Sequence, residues 1–319
     1  MTDKRKTVLI TGCSKGGIGD ALALEFHRRG LRVFATARTP AKMQHLQDMG
    51  IETLALDVVD RKSIQEAVKE ISKRTDGRLD ILVNNSGVGY LMPILDADID
   101  EARKLFDVNV WGTLAMIQAF APLLAATGTK SAPSTIINIG SVTSRIQVPW
   151  EGIYNASKSA LHMLNDTLRI EVAPLDIQFL HYVTGGIKTQ FFDHNTGAVL
   201  PENSLYGPAR EIIESDVAGN AARQTLTMSA ETYAKKVVSN ALSRRPTKEM
   251  WLGGRASLSW LGDRFGWPTM TDWLISNFMG WSFGGVHQKL AAAKIEVAVE
   301  AKTVADGTKS NGVEAESSA

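Results

Sequence analysis

The 319 residues carry a formal net charge of +1, with 22% charged and 44% hydrophobic residues, which is apolar enough for a full-sized core. That balance leaves no basic excess to hold nucleic acid, and the single cysteine, Cys13, cannot form an intramolecular disulfide, so a reducing, cytoplasmic setting is expected. Met1 to Lys6 reads as no secretory signal, and the absence of about 18 consecutive apolar residues leaves no membrane-spanning helix expected.

From residue 6 to about 185, short β-branched runs alternate with longer helical patterns. The predicted strands are Thr7 to Thr11, Arg32 to Ala37, Glu52 to Asp57, Ile81 to Asn84, Thr135 to Ile139 and Ile177 to Val183. The segments between them are long enough for right-handed crossovers, which gives an α/β fold with one doubly wound parallel sheet and helices on both faces. Residues 188–230 break the rhythm with Gly197, Pro201, Gly207, Pro208 and Gly219 and read as a substrate loop. A helix from Ala230 to Ser243 and a strand at Met250 to Leu252 complete a catalytic domain over 1–254. An aromatic-rich helical extension over 255–300 and a disordered tail over 301–319 follow.

The strand ending at Thr11 runs into Gly12, Cys13, Ser14, Lys15, Gly16, Gly17, Ile18 and Gly19, then into a helix-like stretch from Ala21 to Arg29. Glycines between a strand and a helix let backbone approach a pyrophosphate, and the helix start offers free N–H groups to the anion. Gly12, Ser14, Lys15, Gly17, Ile18 and Gly19 are the candidate contacts; the spacing leaves open whether Gly16 or Gly17 lies against the pyrophosphate. The second strand ends Thr36, Ala37, Arg38, with no carboxylate for ribose hydroxyls. Arg38 and Lys15 together favour a 2′-phosphate, hence NADP(H), while Asp57 either accepts from the adenine amino group or serves a turn.

Tyr154 and Lys158 lie one helical turn apart in the helix expected from Glu151 to Ala173. A nearby ammonium favours a phenolate, so Lys158 is expected to lower the Tyr154 pKa and also to hold the nicotinamide ribose. Ser141, after an apolar strand, is placed to clamp a substrate oxygen.

With these motifs in sequence, residues 6 to about 190 resemble the short-chain dehydrogenase/reductase family. The resemblance extends to Asn84, Asn85, Ser86 and Gly87 and to Asn109. It implies that Asn109 takes part in a proton relay with Lys158, that Asn84, Asn85 and Gly87 support the sheet and cofactor edge, and that Ile187 and Thr189 meet the nicotinamide amide. It also implies NADPH-dependent reduction of a small, apolar ketone to a secondary alcohol, a homo-oligomer and no catalytic metal, with a non-reductive NADP-binding role in a biosynthetic pathway as the alternative. Two departures stand out: the adjacent pair Gly16 and Gly17, and Thr184, Gly185, Gly186 where the family usually has a proline and glycine.

The doubled glycine, the Thr-Gly-Gly sequence and the tryptophan-rich C-terminal part resemble a fungal branch that includes 1-acyldihydroxyacetone-phosphate reductase and is shared by natural-product ketoreductases. Five of seven tryptophans, Trp251, Trp260, Trp267, Trp273 and Trp281, fall in 251–285. Such indoles suit a peripheral contact with lipid at an endoplasmic reticulum or lipid droplet surface, or equally an internal or subunit contact. Arg145, Lys188 and Arg210 are the candidate clamps for a substrate phosphate.

Overall fold

A computed structural model of the chain describes residues 5–191, 199–218, 227–267, 269–270 and 284–294. Its seven-stranded sheet is wholly parallel, in the order β3-β2-β1-β4-β5-β6-β9. Here β1 is Thr7–Ile10, β2 Arg32–Ala37, β3 Glu52–Ala55, β4 Ile81–Asn84, β5 Ser134–Ile139, β6 Ile177–Thr184 and β9 Glu249–Leu252. Every expected strand is present, with ends shifted by at most two residues. From β1 the chain winds outward through β2 and β3, then returns to the other flank of β1 at β4, so a switch point opens between β1 and β4.

Both faces of the sheet are buried, and alternate residues of one strand serve different cores. Val8 and Ile10 pack with Leu22, Ala23 and Phe26 of α1 (Ile18–Arg28) and with Tyr233, Ala234 and Val237 of α8 (Ala230–Ala241). Leu9 points the other way, to Ile64 and Ile71 of α3 (Arg61–Thr75) and to Met116, Ile117, Phe120 and Leu124 of α5 (Thr113–Thr127). Helices therefore cover both faces, as the apolar runs require. A short α2 (Gln44–Asp48) lies between β2 and β3.

The helix α4 (Ile99–Phe106) runs into α5 through a π-helical segment, Asp107–Gly112. The combined run Ile99–Thr127 is long and apolar enough to cross a membrane by length and composition, a property that a count of consecutive apolar residues passes over. In this fold half of its apolar window is buried, much of it against the sheet.

Residues 188–230, read as loop, contain a short parallel ribbon of β7 (Ile187–Lys188) with β8 (Met228–Ser229), and α7 (Arg210–Val217). Ile213 and Val217 of α7 join Leu91, Met92, Trp150 and Leu200 in a third, smaller core. The C-terminal extension begins with α9 (Ala256–Phe265). Gly197, Gly219, Trp273, Trp281 and the tail over 301–319 lie outside the described residues.

Candidate active site

The C-terminal ends of β1, β4, β5 and β6 meet along the switch point, where side chains and loop backbone converge without competing for ladder hydrogen bonds. Thr11 holds the two sides together. Its hydroxyl accepts from the amides of Asn85 and Ser86, both at 3.0 Å, while Asn85 Nδ2 donates to the carbonyls of Thr11 (2.8 Å) and Gly12 (3.1 Å). The Asn85 side chain is thus occupied in shaping the turn that was expected to receive the cofactor.

Gly12 adopts φ +74°, where a side chain is strained, and Gly19 lies so close to the Gly12 carbonyl and Asn85 Nδ2 that a Cβ would collide with both. Gly16 also has a positive φ but faces open space, and its amide donates to Asp20 Oδ2 at 2.8 Å. Gly17 forms the N-cap of α1, with Ile18 and Gly19 supplying the next amides at the helix start. Ser14 is half-buried, and its carbonyl accepts from the Gly17 amide at 3.1 Å. Cys13 is a packing residue: burial pushes its thiol up to about 12.

Lys15 and Arg38 are exposed and form no ion pair with the described residues. The Lys15 amide donates to the Lys42 carbonyl at 3.2 Å, which draws a third cation-bearing residue to the end of β2. Lys42 escaped sequence reading because it belongs to the 3-10 turn after β2 and no spacing rule links it to the glycines. Asp57 is half-buried and accepts from the Val59 amide at 3.1 Å, the turn role expected as its alternative.

The catalytic candidates come together around the start of α6 (Gly152–Glu171). Asn109 is fully buried in the π-helical segment; its Oδ1 accepts from the Val88 amide at 2.9 Å, and its Nδ2 donates to the Val88 carbonyl (3.0 Å) and Ser157 Oγ (3.1 Å). Gly87 leaves the space between this asparagine and the lysine open: a Cβ there would stand 3.4 Å from Asn109 Oδ1 and 3.5 Å from Lys158 Nζ. Asn84 points into the core instead. Its Nδ2 donates to Asn138 Oδ1 at 2.8 Å, and Asn138 in turn donates to Asn165 of α6 at 2.7 Å, so this amide chain ties α6 to the sheet.

Ser141 is buried and lies beside Tyr154, close enough to favour the ionised phenol. Tyr154 is half-buried, its ring 5.9 Å from that of Phe191. The expected tuning by Lys158 is corrected here. Burial, reinforced by the carboxyl of Glu151, raises the Tyr154 pKa well above the usual phenol range, against the Ser141 hydrogen bond. Lys158 Nζ stands 5.7 Å from the centre of the Tyr154 ring, and burial lowers its own pKa to about 8, so it is mostly charged at neutral pH yet gives up its proton far more easily than an exposed lysine. The result is a phenol kept protonated beside an amine that gives up a proton easily, a division of acid and base roles set by environment.

Glu151 is a site residue that motif reading missed. It is buried, and burial raises its carboxyl to about 8. It follows Trp150, whose φ of +61° is unusual for a bulky residue. That twist sends the indole into the third core while the Trp150 carbonyl accepts from the Met92 amide at 2.7 Å. The only sequence signal is a carboxylate three residues before the tyrosine, where an apolar wall would serve a passive pocket.

Ile187 is buried in the first core within the β7 ribbon, and Thr189 is half-buried beside Phe191. The loop without proline is held in another way. Gly185 N donates to Leu252 O at 2.7 Å, and Gly186 and Gly254 exchange bonds of 3.1 and 2.9 Å, so the loop after β9 fixes it. Of the phosphate clamps, Arg210 is spent on the Leu200 and Pro201 carbonyls (2.5 and 2.6 Å) and on Glu214 (2.9 Å). Arg145 is turned toward Asp263 at 3.9 Å, and Lys188 is exposed.

A family model described as short chain dehydrogenase matches residues 6–198, a span that contains every catalytic candidate above. The chain belongs to the short-chain dehydrogenase family. It is similar to short-chain dehydrogenase ptmH of Penicillium ochrochloron, 48% identical over 243 residues that cover 76% of this chain and 86% of that one. It is also 43% identical over 215 residues to an NADPH-dependent 1-acyldihydroxyacetone phosphate reductase of Schizosaccharomyces pombe, covering 66% of this chain and 71% of the relative. Among solved structures, a short-chain dehydrogenase from Streptomyces avermitilis superposes with a TM-score of 0.68 at 25% identity, over 89% of this chain and 98% of its own. This short-chain dehydrogenase therefore carries the Rossmann-type sheet and is an oxidoreductase of the family that uses nicotinamide cofactors on alcohol and carbonyl groups.

Proposed function

We propose that this enzyme uses NADPH to reduce an apolar ketone to a secondary alcohol. The observation that carries this reading is the assembly of buried Asn109, Ser141 and Lys158 with Tyr154 at the mouth of a glycine-walled switch point. The residues fit a dinucleotide: Gly19 admits no side chain, Gly17 opens a helix N-terminus, and Gly87 leaves room beside Lys158. NADPH supplies the hydride. Lys15 and Arg38 favour its 2′-phosphate, with Lys42 close by and no carboxylate at the end of β2 to compete.

In this reading Ser141 holds the carbonyl oxygen and Tyr154, kept protonated by its desolvated surroundings, donates to it. Lys158 returns the proton to Tyr154, and Asn109 holds the loop at Val88 and the helix at Ser157 so that this path keeps its geometry. The family resemblance adds a water at Asn109 to the relay.

For substrate, we favour an apolar ketone of the kind tailored in fungal secondary metabolism over an acylated phosphate, because Arg210 is spent inside the fold and Arg145 faces an acid. The second reading, reduction of 1-acyldihydroxyacetone phosphate, is favoured by the fission-yeast relative. Loss of NADPH absorbance with purified enzyme and a panel of polycyclic ketones, medium-chain ketones and acyl dihydroxyacetone phosphate tests the choice. Turnover on the acyl phosphate alone would overturn the apolar-ketone reading. Silence across the panel with product formed without NADPH consumption would overturn reduction itself.

We also keep as proposals a cytoplasmic location with peripheral contact at a lipid surface through 251–285, and a homo-oligomer. Exposed Leu258, Trp260, Phe265 and Trp267 support the first, and exposed Ile99, Trp111, Met163 and Ile170 support the second.

A further inference from the structure

Eight residues beyond Tyr154 on α6, His162 turns inward to a place that the proposed reaction does not use. It meets His181 of β6 with ring centres 4.6 Å apart in an edge-on arrangement, and Glu249 at the start of β9 completes the group. Both imidazoles are more than nine-tenths buried, and His162 Nε2 and His181 Nδ1 form no hydrogen bond. Both atoms are aimed at one oxygen, Glu249 Oε2, at 3.5 and 3.8 Å.

The hydrogen-bond network defines what His162 presents there. Ser144 Oγ donates its only proton to the Ser141 carbonyl at 2.7 Å, so at its 3.0 Å contact with His162 Nδ1 the serine accepts and the imidazole donates. A neutral His162 then directs the lone pair of Nε2 at a carboxylate oxygen, and two facing acceptors need a proton or a metal ion between them. Glu249 is held in a matching way: Trp251 Nε1 donates to its other oxygen, Oε1, at 3.0 Å, which leaves Oε2 for the histidines. Ligands positioned by a second set of hydrogen bonds are characteristic of metal sites.

We propose that His162 Nε2, His181 Nδ1 and Glu249 Oε2 bind one divalent transition-metal ion of the zinc class, with the fourth position left to water. Zinc bonds of about 2.0–2.2 Å set tetrahedral ligand atoms roughly 3.5 Å apart, which the two histidine-to-carboxylate distances approach; all three ligand atoms lie within 4.8 Å of one another. Asp166 Oδ2 stands 3.7 Å from His162 Nε2, and both acids are part-exposed, so an ion has a route in from solvent. Arg145, the neighbouring cation, is directed at Asp263. The bound ion would join α6, β6 and β9, the last strand to enter the sheet, and through Ser144 it would stiffen the loop that carries Ser141. It acts on position, since none of its ligands faces the reacting atoms.

The test uses untagged, full-length enzyme stripped with a chelator and titrated with Co²⁺, followed by visible absorption and by melting temperature. One equivalent is expected to bind with the absorption of a tetrahedral nitrogen and oxygen site and to raise the melting temperature, and Glu249→Gln is expected to weaken binding tenfold or more. X-ray absorption of the wild-type cobalt form, which needs no variant to fold, is expected to show two imidazole nitrogens. No binding at excess Co²⁺, unchanged affinity in Glu249→Gln, or a first shell with sulfur or a single imidazole would each overturn the site.

Discussion

The two sides of the cleft are held by different means. On the cofactor side the work is done by backbone and by missing side chains: Gly12 at positive φ, Gly19 against the Gly12 carbonyl, and Thr11 binding two amides of the opposite strand end. On the catalytic side it is done by buried polar groups in contact, from Asn109 through Ser157 to the Tyr154 carbonyl, with Glu151 and Tyr154 carrying raised pKa values. The lesson is that damage should take different forms. A change on the first side removes space, and a change on the second removes a proton or a charge.

The sharpest separation is expected from Tyr154→Phe. It should cut turnover by about 10²–10⁴-fold, the usual share of a general acid, while NADPH still binds, as read by steady-state rates beside fluorescence of the bound nicotinamide. Equal loss of both would mean that Tyr154 belongs to the cofactor side. Gly19→Ala is the reciprocal change: its methyl meets the Gly12 carbonyl and Asn85 Nδ2, and overpacking of about 1–3 kcal/mol should appear as a lower melting temperature together with weaker NADPH binding.

Arg38→Ala should weaken NADPH by roughly tenfold or more, the worth of a charge-assisted hydrogen bond of about 1.5–3 kcal/mol, and leave NADH almost unchanged. The ratio of the two KM values reads this, and an equal loss for both cofactors would remove the 2′-phosphate from the account.

The last contrast concerns pH and Glu151→Gln. A carboxyl raised from 4.5 to about 8 by burial binds its proton more tightly in the folded than in the unfolded chain. Its contribution to stability is full below pH 4.5 and is lost as the pH rises to about 8. Melting temperatures of wild type and Glu151→Gln across that window should converge at the acid end and separate toward pH 8, with the variant less sensitive. Parallel curves would mean that Glu151 is solvated and has no hold on Tyr154.

The contrast between the two sides also explains what could be read in advance. The strands and their parallel order follow from apolar runs at crossover spacing, and the cofactor turn follows from glycines placed between a strand and a helix, because those constraints act within a few residues of chain. Tyr154 and Lys158 were legible for the same reason, being one turn apart on α6. Their pKa values were not: spacing predicts an ammonium that lowers a phenol, whereas burial and Glu151 raise it.

By itself the sequence determined the doubly wound sheet, the position of the dinucleotide turn and the identity of the side chains that converge at the strand ends. Tertiary structure alone decided which of them are free to act. Arg210 was taken up by carbonyl capping, Asn85 Nδ2 shapes the cofactor turn, and Asn84 ties the sheet to α6 through an amide chain across β5. It also decided the meeting of His162, His181 and Glu249, which stand 19 and 68 residues apart in order along the chain. Long-range packing sets solvation and hydrogen-bond partners, and these depend on neighbours that no local pattern names.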